Sequence, residues 1–198
     1  MHLIQEGDDH LEQAKKRDHK ILITEIAIEK VPYIEIPTFT PEQNQKLQQV
    51  NREILHASMI YNNSNEIACI YNYVTNEKTF VSGDESHVDI DGDLNVKLLQ
   101  NKSYALELVV AHNHPSTANF SFADIDYFIA NEYIGLMSAV TNQGEAYIMH
   151  KTKAYNYNEA RQLEIDLIKE FSLSEQTEMA SKFLKRCQKG GILYAKGK

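Results

Sequence analysis

Cysteine is scarce in this chain. Cys69 and Cys187 are the only two among 198 residues, far apart and in no Cys-x-x-Cys spacing. That excludes a disulfide framework and a thiolate zinc cluster. It leaves two buried or half-buried thiols in a reducing compartment. No apolar run is long enough to span a bilayer. The first twenty residues, MHLIQEGDDHLEQAKKRDHK, contain no apolar stretch of the kind a secretory signal needs. Repeats and low-complexity tracts are absent too. These absences predict a cytoplasmic protein with no membrane association.

What is present is ordinary for a globular chain: 42% hydrophobic and 24% charged residues. The length suits one compact domain plus extensions, with a core that needs no staples. A net charge of −8 argues against a broad nucleic-acid-binding face. The charge is uneven, however. Residues 181–198 hold six basic residues (Lys182, Lys185, Arg186, Lys189, Lys196, Lys198) and no acid, leaving 14 basic residues against all 28 acids elsewhere. Such cations suit the end of a helix, where the dipole favours them. The sharper alternative is a docking patch for an acidic partner.

Residues 1 to about 20 read as a polar arm. Residues 21–36 (ILITEIAIEKVPYIEI) are Ile-rich and partly alternating, which predicts one or two strands broken near Pro32. Thr40, Pro41 and Gln43 then form a helix start, with a Thr-x-x-Gln capping box and Pro at the first helical position. Leu47, Val50, Ile54, Leu55 and Ala57 give that helix one apolar face, and NNSN at 62–65 ends it. A strand is predicted over 66–74, a turn at TNEK, a return strand at TFVSG, and an acidic loop with a short central strand over 83–93. A short helix follows at Leu94–Asn101, a strand over 104–112, and a helix over 121–133. IGLMSAVT and EAYIMHK read as a hairpin joined by Asn142-Gln143-Gly144. From Asn158 to Gln188 the chain reads as two helical segments split near Ser172–Ser174, stopped by Gly190-Gly191. The fold class expected is α/β (α+β), a mixed sheet flanked by helices. Its three parts are an N-terminal arm with strands (1–39), a main domain (40–152) and a C-terminal helical extension (153–198).

Chemistry concentrates in VVAHNHPSTANFSFADIDYF, residues 109–128. His112 and His114 stand two apart at a strand end, where alternation can point both imidazoles to one side. Pro115 stops the strand, and Ser121 starts a helix with Asp124 in its first turn. One short loop can therefore bring two imidazoles and a carboxylate around a point. Three N/O donors with a fourth position open is the pattern of catalytic rather than structural zinc. Ser121-x-x-Asp124 is also an ordinary capping box, and capping and ligation need not exclude each other.

AHNHPSTANFSFAD resembles the signature His-x-His-Pro-x6-Ser-x2-Asp of the JAMM (MPN-plus, or JAB) metalloproteases. HNHPS is most similar to their RadC-like bacterial and phage branch. The resemblance covers roughly residues 40–150, by element order as well as motif. It implies a JAB/MPN-like, cytidine-deaminase-like layer with one Zn2+ per chain held by His112, His114 and Asp124. It further implies Ser121 as oxyanion donor and an upstream Glu as general base. That Glu falls on Glu66, after the helix ending near Tyr61; Glu53, inside the helix, is the competitor. The loop between Pro115 and Ser121 holds five residues (STANF) where the family pattern has six, while the Ser121–Asp124 spacing is kept. No helix-hairpin-helix region precedes the domain, so a DNA role does not follow.

The activity implied is hydrolysis of a peptide or isopeptide bond, with a protein or peptide substrate such as a ubiquitin-like tail. The alternatives are a metal-free interaction scaffold and a DNA-associated factor. A homodimer is compatible with the chain. Other signals carry less. HNH at 112–114 lacks the spread of an HNH nuclease. Asp89-Ile90-Asp91-Gly92-Asp93 has its glycine misplaced for a calcium loop and reads as a solvated turn with a helix cap. His87 suits the site rim or the surface; His56 and His150 have no catalytic role.

Overall fold

The computed structural model describes residues 20–172 and 174–198. The polar arm expected over residues 1–20 lies outside them, Lys20 excepted.

A six-stranded mixed sheet divides the molecule. Its strands are β1 (Ile67–Asn72), β2 (Lys78–Ser82), β3 (Leu108–His114), β4 (Ile134–Thr141), β5 (Ala146–Lys151) and β6 (Ile192–Lys196), in the order β2-β1-β3-β4-β5-β6. β3 and β4 run parallel and every other pair is antiparallel. The helices are α1 (Glu25–Lys30), α2 (Pro41–Tyr61), α3 (Leu94–Asn101), α4 (Phe122–Ala130), α5 (Tyr157–Glu170) and α6 (Gln176–Arg186).

Two apolar clusters cover the two faces of the sheet. On one, Leu47, Val50, Ile54 and Leu55 of α2 meet Ile67, Cys69, Tyr71, Val109 and Ala111. On the other, Ile125, Phe128 and Ile129 of α4, with Leu167 of α5 and Phe183 of α6, meet Ala68, Ile70, Val110 and Met137. Each fully buried Leu or Ile contributes roughly 1.5–3 kcal/mol. Every residue of β3 and β4 is buried, as expected of central strands covered on both faces. Strand alternation decides the site: Val109 and Ala111 face α2, so His112 and His114 face the α4 side.

The start of α2 is as its sequence predicts. The Thr40 hydroxyl accepts from Gln43 N–H, and the Gln43 side chain accepts from Thr40 N–H. The β4–β5 turn is fixed by Gly144 at φ +87°, where a Cβ would also meet the Ala27 carbonyl oxygen at 2.1 Å.

Residues 21–36 correct the expectation of strands. They form α1 flanked by extended backbone that joins no strand of the sheet. Thr24 caps α1, its hydroxyl accepting from Ala27 N–H. Ile23, Ile28 and Val31 are buried in the α2-side cluster, and Ala27 is buried with its carbonyl beside Gly144. Tertiary packing thus overrides the local alternation. The acidic loop 83–93 contains no strand. β6 was not expected: after α6 and a short 3-10 turn, Gly191 at φ +73° reverses the chain, which pairs antiparallel with β5. Residues 157–196 share the core, with Ala160, Leu167, Phe183 and Ile192 in the α4-side cluster. Lys185 and Arg186 occupy the last turn of α6, as the dipole favours.

Candidate metal centre

His112 and His114 end β3, and Asp124 is the third residue of α4. The chain leaves the carboxyl end of a parallel strand and enters the next helix through a loop of seven residues, so a strand end and a helix start share one corner. His112 Nε2 lies 2.8 Å from His114 Nε2. His112 Nε2 is 3.4 Å from Asp124 Oδ1, and His114 Nε2 is 3.5 Å from Asp124 Oδ2. Among the described residues this is the one group of three or more His, Cys, Asp or Glu side chains whose donors converge, and it could hold a metal ion.

The donor set fits that role. Tetrahedral bonds of about 2.0–2.1 Å place neighbouring donors about 3.3 Å apart, close to the two imidazole–carboxylate distances. Two Nε2 lone pairs cannot face each other at 2.8 Å; a proton or a cation has to lie between them. His114 Nδ1 donates to the Ala118 carbonyl at 3.1 Å. That bond fixes its tautomer and leaves Nε2 as the free donor atom, the usual arrangement of a ligating histidine.

Charge is strongly coupled here. Burial alone would push His114 down, but the hydrogen bond and charge of Asp124, with Glu66, raise it. Burial alone would lift Asp124; His112 and His114 instead hold it well below the usual carboxylate range. Glu66, half-buried just before β1, is raised by burial. The two imidazoles oppose that rise, and Asp124 and Asp84 add to it. A carboxyl lifted toward neutrality beside two imidazoles is suited to taking and returning a proton.

Ser121 caps α4, and Asp124 completes a capping box with it. Ser121 N–H and its hydroxyl both donate to Asp124 Oδ2, each at 2.7 Å. The loop before it is pinned along its length. Ala118 N–H donates to Ser116 Oγ, and Asn119 Nδ2 donates to the Tyr194 hydroxyl at 3.0 Å. Phe120 is buried, its ring 6.4 Å from that of His112. A cavity of about 890 Å³ opens over the centre, lined by Glu66, His112, His114, Ser121 and Asp124 together with the 85–91 loop and Tyr127.

All five residues singled out from the sequence therefore line one cavity. Glu53 does not; it pairs with Lys78 at 2.5 Å on another face. His87 lines the cavity and His56 does not. His150 is buried elsewhere, against Thr38 and Phe39. The acids of the 89–93 tract are tied as turn and cap: Asp89 accepts from Gly92 N–H, Asp91 from the Tyr127 hydroxyl, and Asp93 from the first turn of α3. Sequence reasoning missed Asn113, Ala118, Asn119 and Tyr194. An Asn buried between two histidines in an otherwise apolar strand was the one signal available.

Compared with protein-family models, with curated proteins and with solved structures, the chain matches none. Fold and site define a mixed α/β domain with a His-His-Asp group able to hold a metal ion. No helix among the described residues is long and apolar enough to cross a membrane.

Proposed function

We propose that this chain is a zinc-dependent hydrolase of amide bonds, a JAMM-type (JAB/MPN-like) peptidase or isopeptidase of the RadC-like branch. The observation that carries the reading is the convergence of His112, His114 and Asp124 with Glu66 beside them, under one cavity. Two imidazoles and one carboxylate with a position left for water are a catalytic zinc set. Bound zinc supplies Lewis acidity, which acidifies water and polarises an amide carbonyl.

The remaining chemistry belongs to the chain. Glu66 accepts a proton from the attacking water and returns it to the leaving nitrogen. Ser121 donates a hydrogen bond to the oxyanion that develops on the carbonyl. It can turn its hydroxyl from Asp124 Oδ2 without baring that oxygen, because Ser121 N–H also bonds it at 2.7 Å. A protein tail of ubiquitin-like type is the substrate class proposed.

The test is zinc per chain by elemental analysis in the parent and in His112→Ala. Internally quenched peptides and a Lys-isopeptide substrate are then assayed, with Glu66→Gln as the inactive control. The expected result is about one zinc in the parent, almost none in His112→Ala, and full zinc without cleavage in Glu66→Gln. Absence of zinc after reconstitution, or cleavage equal in parent and Glu66→Gln, overturns the reading.

A further inference from the structure

One side chain joins the candidate ligands to the segment that carries Glu66. Asn113 lies between His112 and His114, and the pleat sends its amide to the opposite face of the sheet, where it is fully buried. Asn113 Oδ1 accepts from Ile67 N–H at 2.7 Å. Asn113 Nδ2 donates to the Asn65 carbonyl at 3.1 Å and to Asn142 Oδ1 at 2.8 Å. The Asn65 carbonyl and the Ile67 N–H belong to the two peptide groups that flank Glu66.

The backbone register between β1 and β3 ends at Ala68 opposite His112. Beyond that point the Asn113 amide takes the place of the β3 backbone. On the other side, Glu66 N–H donates to the Asp84 carbonyl and Gly83 N–H donates to the Glu66 carbonyl, each at 2.8 Å. The Glu66 backbone is thus clamped from both edges. Asn142 fixes the polarity of the clamp: its Nδ2 donates to the Ser64 and Ile21 carbonyls, so its Oδ1 is turned to Asn113. A carboxylate at 113 would set an oxygen against two acceptors.

We propose that Asn113 is a positioning residue, whose side-chain amide holds the two peptides flanking Glu66 and so sets the Glu66 carboxyl against the His112–His114–Asp124 centre. Because Asn113 is bonded covalently to both histidines, base and ligands move as one unit. What Glu66 does there rests on the hydrolase reading; the clamp itself does not.

The experiment compares the parent with Asn113→Ala in three ways. These are zinc per chain, residue-resolved amide exchange, and kcat against KM on an internally quenched peptide cleaved by the zinc-loaded parent. Asn113→Ala is expected to keep about one zinc and to exchange the Ile67 amide about tenfold faster. The amides of Val110 and Ile148 are expected to stay protected. The same variant is expected to lose kcat by about 10- to 100-fold at nearly constant KM, the effect of a misplaced base. Asn113→Ser, which keeps a small polar group for the buried neighbours, is the second variant if Asn113→Ala does not fold. Unchanged Ile67 exchange overturns the proposal, as does loss of zinc together with protection across the whole sheet in both variants. A parent that cleaves no peptide sinks the hydrolase reading alone, because exchange at Ile67 still decides the clamp.

Discussion

Ser121 gives both of its hydrogen-bond donors to a single oxygen of Asp124, Oδ2, each at 2.7 Å. The helix cap and the candidate metal ligand are therefore one structure. The Asp124 carboxylate is oriented before any ion arrives, and the burial that would protonate it is opposed by the imidazoles.

Ser121→Ala should separate capping from chemistry. Loss of the cap is expected to cost about 1 kcal/mol, a fall of roughly 2–4 °C in melting temperature for a chain of this size. Loss of the outer hydrogen bond to Asp124 should weaken zinc binding by roughly 10-fold or more. If the hydroxyl also meets an oxyanion, kcat at saturating zinc should fall by about 10²–10³. Ser121→Thr should restore all three. Calorimetry, zinc competition and single-turnover assays make the comparison. A kcat unchanged at full zinc occupancy would confine Ser121 to positioning.

His150 predicts a loss of stability in mild acid. It is buried against Phe39, its Nε2 3.1 Å from Thr38 Oγ1, and burial pushes its pKa down to about 4. Unfolded histidine titrates near 6.5. Between those values the unfolded chain binds a proton that the folded chain does not, so stability falls as pH drops from about 6.5 to 4. The loss reaches about 3 kcal/mol at most. His150→Gln can keep the bond to Thr38 and should flatten this limb. Urea melts at pH 7.5 and 4.5 measure it, and an equal loss in parent and variant would refute the assignment.

Lys151 predicts a rise on the alkaline side. Its ammonium donates to the Asn131 carbonyl beyond the end of α4 and lies 4.8 and 4.9 Å from the Phe128 and Tyr155 ring centroids. Burial pushes its pKa down to about 7. From there to about 10.4, the value of an unfolded lysine, the unfolded chain binds more protons, so stability increases with pH. The aromatic faces oppose part of the shift. Lys151→Met should be less pH-dependent than the parent between pH 7 and 9.5. A steeper dependence in the variant would refute the argument.

The sequence was most legible where a short motif and the tertiary environment agreed. Thr40, Pro41 and Gln43 mark a helix start that needs no distant partner. Asn142-Gln143-Gly144 marks its turn by backbone chemistry alone. His112 and His114 fall on one face because the strand period is two, and Ser121 marks where Asp124 enters a helix. Residues 21–36 were misread because Ile21, Ile23, Ile26 and Ile28 satisfy alternation. The helix depends on the α2-side core receiving Ile28 and Val31, which lies outside any local window. β6 was missed for a related reason. Ile192, Tyr194 and Lys196 form a five-residue edge strand within a basic tail, and only the open edge of β5 makes it one. Asn113 was legible as a residue between two histidines, but its role depends on β1 lying next to β3.

The last prediction concerns how β6 reaches the site. Tyr194 stacks parallel to Tyr147 at 6.5 Å and meets Phe120 nearly edge-on at 6.5 Å, while its hydroxyl accepts from Asn119 Nδ2 at 3.0 Å. The C-terminal strand thus grips the loop that connects the histidines to Asp124. Tyr194→Phe keeps the ring packing and removes the one bond, at a cost of about 0.5–1.5 kcal/mol. The expected result is an intact fold, faster amide exchange confined to residues 116–120, and zinc affinity reduced several-fold. Tyr194→Ala also empties the space beside Phe120, and should lose more stability and more zinc affinity together. Exchange in 116–120 that is unchanged in Tyr194→Phe would mean that β6 only closes the sheet, and that the bonds of Ala118 to His114 Nδ1 and Ser116 Oγ hold the loop without it.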